Sequence, residues 1–454
     1  MKAIITTVTV CMLIFTNAGI AQHEHHQKDT IPVKKDTAKV MDHSDHSMHG
    51  KNDVDGMPTH AFSRNLPMSR NGSGTAWSPD NSPMYMWMKQ GTKTDWMFHG
   101  NVFLRYTNTD IYNSGSRGSA KWGAPNWFMA MMNNRVGKKG LFNATAMISL
   151  DRLTEGGDGY PILFQSGETW KGKRLVDRQH PHDLFSALSL GYTHALKKDM
   201  DVFAYLGYPG EPALGAPAFM HRVSSMNNPD APLGHHWQDA THITFGVATL
   251  GFRYRKFKIE GSSFTGREPD EERYGFDKAR FNSYSYRLSF NPDIKWAIQF
   301  SQGFIKEPEA LEPGIDITRT TASVLYAGKN GPNSHLSAAL IWGLNDKGED
   351  HKEHSVLLEG NYQFAKNAIF SRYEFVQKST EELDLEDQLG HVTFDVHVLS
   401  LGYNRSLLQK GVFELAAGAK TTLNLPQGEL KSLYGELPVG FQVFLQLRPA
   451  LHKH

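Results

Sequence analysis

From Trp96 onward apolar and polar residues alternate with a period of two, in runs of about ten residues, and no 3.6-residue period is sustained. Trp96, Phe98, Gly100, Val102, Leu104 and Tyr106 share one phase, with His99, Asn101 and Arg105 between them. Tyr284, Tyr286, Leu288 and Phe290 alternate with Ser283, Ser285, Arg287 and Ser289. The same alternation runs through Ile294–Ser301, Val356–Phe364 and Val439–Arg448. One apolar and one polar face at this period is the signature of a strand.

The connections alternate as well. Short turns such as Gly137–Gly140, Lys197–Asp199, Asn291–Asp293 and Gln409–Gly411 take turns with long loops, roughly 107–125, 151–183, 209–240, 265–279, 306–318, 345–354, 378–391 and 422–437. About sixteen segments joined in this way predict an all-β fold, a transmembrane antiparallel β-barrel over residues 93–454. All long loops then stand at one rim and all short turns at the other. Closure matters because an open sheet edge cannot sit in hydrocarbon with unpaired N–H and C=O groups. Trp, Tyr or Phe at segment ends, as at Trp96 and Tyr106, fit the aromatic girdles of the two membrane interfaces. A soluble β-sandwich or propeller explains the turn and loop alternation less well.

The first residues read differently. Met1-Lys2, an apolar run to Phe15 and small residues before Gln22 predict a secretory signal over 1–21, cleaved after Ala21 or after Ala18. Residues 22–92 lack apolar periodicity and are expected as a disordered His/Met-rich segment. It carries His23, His25 and His26, then Met41, His43, His46, Met48 and His49. Imidazole serves both copper oxidation states and thioether prefers Cu(I), so copper is the first metal such a tail suits; zinc, nickel or cobalt are alternatives. The bland reading is a solvated His-rich tail with no metal.

Composition narrows the picture. With 48 Lys+Arg against 47 Asp+Glu, nothing electrostatic points to nucleic acid. The single cysteine, Cys11, lies within the signal, so disulfides and thiolate metal sites are excluded from the mature chain.

Two long loops concentrate the histidines. One contains His180, His182 and Asp183; the next contains Met220-His221-Arg222 and then His235, His236, Asp239 and His242. Only two strands separate these loops, so their side chains can meet. The imidazoles and carboxylates are ligands for Zn, Cu, Ni or Co, and equally the makings of a hydrogen-bonded plug. Gly266–Arg273 is a dense charge cluster, read as a solvated rim, an Arg–carboxylate lattice or an ion-selecting ring. Gly207–Pro217, rich in Gly and Pro, has the makings of a loop of defined shape that folds inward. No serine stands in a Gly-x-Ser-x-Gly turn, although His180, Asp183 and Ser186 can be written as a triad, so an enzyme is the weaker reading.

The order of signal, Met/His-rich stretch Met41–His49 and barrel resembles the copper-resistance protein B family of outer-membrane proteins. The barrel region, through Asp177–Asp183, Met220–Arg222, His235–His242 and Gly266–Glu271, also resembles a class of uncharacterised outer-membrane barrels. The resemblance implies metal capture at the outer membrane of a Gram-negative cell, with the tail in the periplasm. It also implies outer-membrane lipid, metal ions and periplasmic metal-handling proteins as partners, and it names no catalytic residue. The rival expectation is a general porin-like channel whose His tail is incidental.

Overall fold

In a computed structural model the described residues are 58–452, apart from 332, 349 and 350. The expected signal and the tail candidates His23, His25, His26, His43, His46, Met48 and His49 lie outside them. Sixteen strands follow one another: β1 Thr94–Asn108, β2 Asn126–Val136, β3 Gly140–Ile148, β4 Phe185–Lys197, β5 Met200–Gly207, β6 Val247–Tyr254, β7 Phe257–Phe264, β8 Ser283–Phe290, β9 Trp296–Ile305, β10 Ile317–Lys329, β11 Ser334–Asp346, β12 Lys352–Phe364, β13 Asn367–Ser379, β14 Thr393–Lys410, β15 Phe413–Leu425 and β16 Val439–Pro449. Each pairs antiparallel with its neighbours, and β16 closes on β1 with Leu447 opposite Val102. The barrel is closed. Short turns and long loops alternate around it as the sequence pattern requires.

The pleat sorts the side chains. Leu250, 71% exposed, Leu288 and Leu401 face outward, while Thr249, Arg287 and Ser400 on the same strands are buried inward. An outward apolar band with polar residues turned to the lumen is the arrangement lipid demands. Inside, the charges are paired across strands. Arg287 Nε lies 3.0 Å from Glu260, and Arg372 Nε lies 3.0 Å from Glu359.

The lumen is occupied. The loop after β5, residues 208–246, folds inward as its Gly/Pro-rich start suggested. The backbone N–H of Ala213 donates to Ser262 Oγ of β7 at 2.8 Å, and that of Gly215 to Ser301 Oγ of β9 at 2.8 Å. Arg222 donates to Glu359 of β12 at 2.8 Å. Asp230 takes Arg105 of β1 and Lys420 of β15. Gly215, at φ +90°, runs so close to Gln238 that a Cβ would fall 2.2 Å from that residue's carbonyl oxygen. Only glycine fits there.

A second segment enters from the short-turn side, and here the expectation of disorder up to residue 92 is corrected. Thr59–His60 pairs with Ser63–Pro67, and the chain then turns inside the barrel. Ser63 Oγ donates to Asp201 at 2.6 Å, Arg287 to Thr75 Oγ1 at 2.8 Å, and Asn291 to the Ser78 carbonyl at 3.0 Å. The physical reason is that its polar residues find partners on the lumen wall, so it folds without any apolar period of its own. The two segments meet where the Ala218 N–H donates to Ser73 Oγ at 2.7 Å.

Candidate metal centre

The loop between β3 and β4 builds one half of the site. A hairpin, Tyr160–Trp170 with Lys173–Gln179, folds back over the lumen and delivers the chain to His180-Pro181-His182. Proline holds this stretch extended, and the two imidazole centroids lie 6.1 Å apart. The inward loop builds the other half. Its helical turn His235–Gln238 and the 3-10 turn Ala240–His242 bring His242 beside His235, centroids 4.9 Å apart.

The two groups converge. His180 lies 6.5 Å from His235 and 5.9 Å from His236, and His182 lies 5.6 Å from His242, centroid to centroid. All five imidazoles are buried. The sequence reading expected one loop's histidines within reach of the other's, and the hairpin and short turns achieve it.

Carboxylates and carbonyls orient the rings. His235 Nδ1 donates to Asp239 Oδ1 at 2.5 Å, His242 Nδ1 to the Asp239 carbonyl at 2.8 Å, and His182 Nδ1 to Asp151 Oδ2 at 2.7 Å. His180 sits between the Pro181 carbonyl and Glu168, each 3.2 Å away. With Nδ1 donating, Nε2 of a neutral imidazole carries the lone pair, the arrangement of histidines that bind metal. The Nε2 atoms of His182 and His242 are buried without a hydrogen-bond partner, as are both ring nitrogens of His236, whose Nδ1 stands 3.7 Å from Glu268. Burial, then mutual repulsion with the neighbouring rings, pushes His180 and His242 well below the usual imidazole range. Burial takes His236 down to about 4. Burial alone raises Asp239, but His235, Arg222 and His242 hold it below the usual carboxylate range.

Asp183 belongs elsewhere. Its Oδ2 lies 3.2 Å from Arg273, which also pairs with Glu168. Burial, then Asp277 and Asp270, raises Asp183 well above the usual range. Ser186 Oγ donates to the Asp183 carbonyl at 3.0 Å, a contact that ties the loop and makes no triad.

Two site residues come from the next loops. One ligand atom each from His236, Glu268 and Glu309 lies within 4.8 Å of the others. Burial, then Glu268, raises Glu309 to about 7, and burial raises Glu268 against the pull of Arg319 and His235. Two carboxylates and a neutral imidazole are an N/O donor set for a divalent transition ion. Donor atoms ~2.0–2.2 Å from an ion stand ~3–3.6 Å from one another, so small side-chain rotations close the set. Gly167, at φ +109°, lets the hairpin lie over this corner; a Cβ there would stand 2.5 Å from the His236 ring. The charge cluster Gly266–Arg273 contains Glu268, whereas Glu309, Asp151 and Glu168 carry no signal of spacing and are found only in space.

No protein-family model matches the chain, and no curated protein matches it. Solved structures do. Among them are outer-membrane proteins and porins. OmpF of Salmonella typhi, in complex with daunomycin, is 10% identical over 80% of this chain and 100% of its own, with a TM-score of 0.48. A loop-deletion mutant of OmpT, an outer-membrane protein of Vibrio cholerae, is 9% identical over 78% and 99%, with a TM-score of 0.46. An anion-selective porin from Comamonas acidovorans is 12% identical over 78% and 100%, with a TM-score of 0.44. At these identities the likeness is one of fold.

Proposed function

We propose that this chain is an outer-membrane barrel that captures transition-metal ions, copper first, and handles them through its occupied lumen. The observation that carries the reading is the corner where His236, Glu268 and Glu309 bring their ligand atoms within 4.8 Å of one another. Four more buried histidines adjoin it, two of them with an unpartnered Nε2. Buried donors without partners cost free energy that a bound cation recovers. The apolar outer band supports a place in lipid, and the start of β1 and the end of β16, both at the short-turn rim, favour a periplasmic tail. His23–His26 and Met41–His49 would then gather metal there, and periplasmic metal-handling proteins would be partners.

A lumen filled by residues 58–86 and 208–246 speaks against the rival reading, a general diffusion channel. Calorimetric titration of the full chain in detergent with Zn(II) and Cu(II) tests the assignment. Two variants are compared with the wild type: H236A–E268Q, and one with the eight tail donors, Met41 included, replaced by Ser or Leu. Loss of one equivalent in the first, retained in the second, is the expected result. Unchanged stoichiometry in H236A–E268Q removes the lumen site.

A further inference from the structure

A different chamber lies on the short-turn side of the lumen. Twelve methionines fall among the described residues, and ten of them gather in this one region, where the N-terminal segment, the inward loop and β1–β3 meet. The other three apolar clusters among the described residues contain none. Methionine is an adaptable filler, but a filler has no reason to stay confined to one of four cores. A cavity of about 110 Å³ lies at the centre, lined among others by Met68, Met84, Met97, Met131, Met220 and Met226.

Two histidines share it. His99, on the inward face of β1, and His221, in the inward loop, have ring centroids 5.7 Å apart. The Nε2 of His99 is buried and has no hydrogen-bond partner. Trp127 packs at right angles to His99 with centroids 5.2 Å apart and tilted against His221 at 4.9 Å, holding both rings in place. Burial carries His221 down to about 3, so this ring is neutral and its lone pair is available. Among the described residues no carboxylate lines the chamber, whose polar lining is neutral apart from Arg222 and Arg448, so a hard divalent ion would find no anionic oxygen ligand there.

We propose that this chamber is a binding site for Cu(I), held by thioethers of the methionine cluster together with the imidazole of His99 or His221. Thioether and imidazole are the donors that a soft monovalent ion prefers. The site is distinct from the divalent centre, with which it shares no ligand. It does adjoin that centre, because His242 and Met220 line one further cavity. Its floor is the N-terminal segment, which supplies Met68 and Met84, so an ion there touches the stretch of chain that continues into the tail.

The test is Cu(I) titration of the full chain in detergent under argon, in competition with a chromogenic Cu(I) chelator. Wild type is compared with M97L–M220L and with H236A–E268Q. M97L–M220L is expected to lose one tight Cu(I) equivalent and to keep its Zn(II) binding. H236A–E268Q is expected to do the reverse. A folded, heat-modifiable M97L–M220L that holds as much Cu(I) as wild type overturns the proposal. Should that variant fail to fold, X-ray absorption on a Cu(I)-loaded M41L–M48L–M57L chain decides. Sulfur in the first shell supports the chamber, and nitrogen and oxygen alone overturn it. Either outcome leaves the divalent reading to its own Zn(II) result.

Discussion

Nδ1 of His235 stands 2.5 Å from Oδ1 of Asp239, and the other oxygen of that carboxylate accepts from Arg222 at 2.7 Å. One buried aspartate therefore fixes the ring of a candidate ligand and ties that part of the inward loop to Arg222, the loop's own arginine that reaches Glu359 on β12. Groups that orient metal ligands in this way typically contribute ~10–100-fold in affinity. D239N keeps the shape and removes the charge, so Zn(II) affinity is expected to fall by a factor in that range in chelator competition. An unchanged affinity would show that His235 takes no part in binding.

Glu359 serves two arginines. Its oxygens accept from Arg222 at 2.8 Å and Arg372 at 3.0 Å, all three side chains being buried. Removing one partner of a buried ionic network costs ~3–5 kcal/mol because charge is left unpaired. E359A is expected to lower the midpoint of heat-modifiable unfolding and to let ions pass in planar bilayers where wild type stays closed. Equal conductance in both would mean that the inward loop does not seal the lumen.

Glu211, beside Gly74 where the inward loop meets the N-terminal segment, is raised to about 7 by burial, against the pull of Arg287. A carboxyl whose folded value lies above its unfolded value of ~4.3 stabilises most below that value, and the contribution is lost as pH rises through the folded one. Measured as the difference between wild type and E211Q, stability is expected to fall by up to ~3 kcal/mol between pH 4 and pH 8. Denaturant unfolding at several pH values reads this difference, and a flat profile refutes it.

Leu250 lies mid-strand on the outer face of β6, and Tyr254 at the short-turn end of the same strand. Arginine on a lipid face costs ~2–4 kcal/mol at the midplane and ~0–1 near an interface. L250R is therefore expected to destabilise the folded barrel in lipid vesicles by several times as much as Y254R. Equal effects would argue against a membrane around this face.

The barrel was legible because alternation is a local signal. Every outward residue named on β1, from Trp96 to Tyr106, obeys the pleat, as do Gln442 and Gln446 inward on β16. The turn at Asn291–Asp293 runs on through Ile294 and Lys295, since β9 begins at Trp296. The histidine convergence was legible from topology, because two neighbouring loops must share one wall. Its internal geometry was not. His242 meets His235 and not His236 because helical turns replaced the extended chain that a spacing argument assumes. Residues 58–86 were missed for a related reason. Arg70, which pairs with Asp80 at 2.5 Å, and Ser63, which reaches Asp201, reveal their places only once the walls exist.

The closing seam has a consequence for how the molecule is made. β1 and β16 meet from opposite ends of the barrel sequence, so the ring shuts only after the last strand is available. Asp230 joins the two sides of that seam from within, through Arg105 on one edge and Lys420 and Gln442 on the other. Such long-range pairings are slow to form, because loop-closure entropy is paid before the contacts reward it. An inward loop that clasps both edges pins the seam from inside, so the container cannot open there without letting go of its filling.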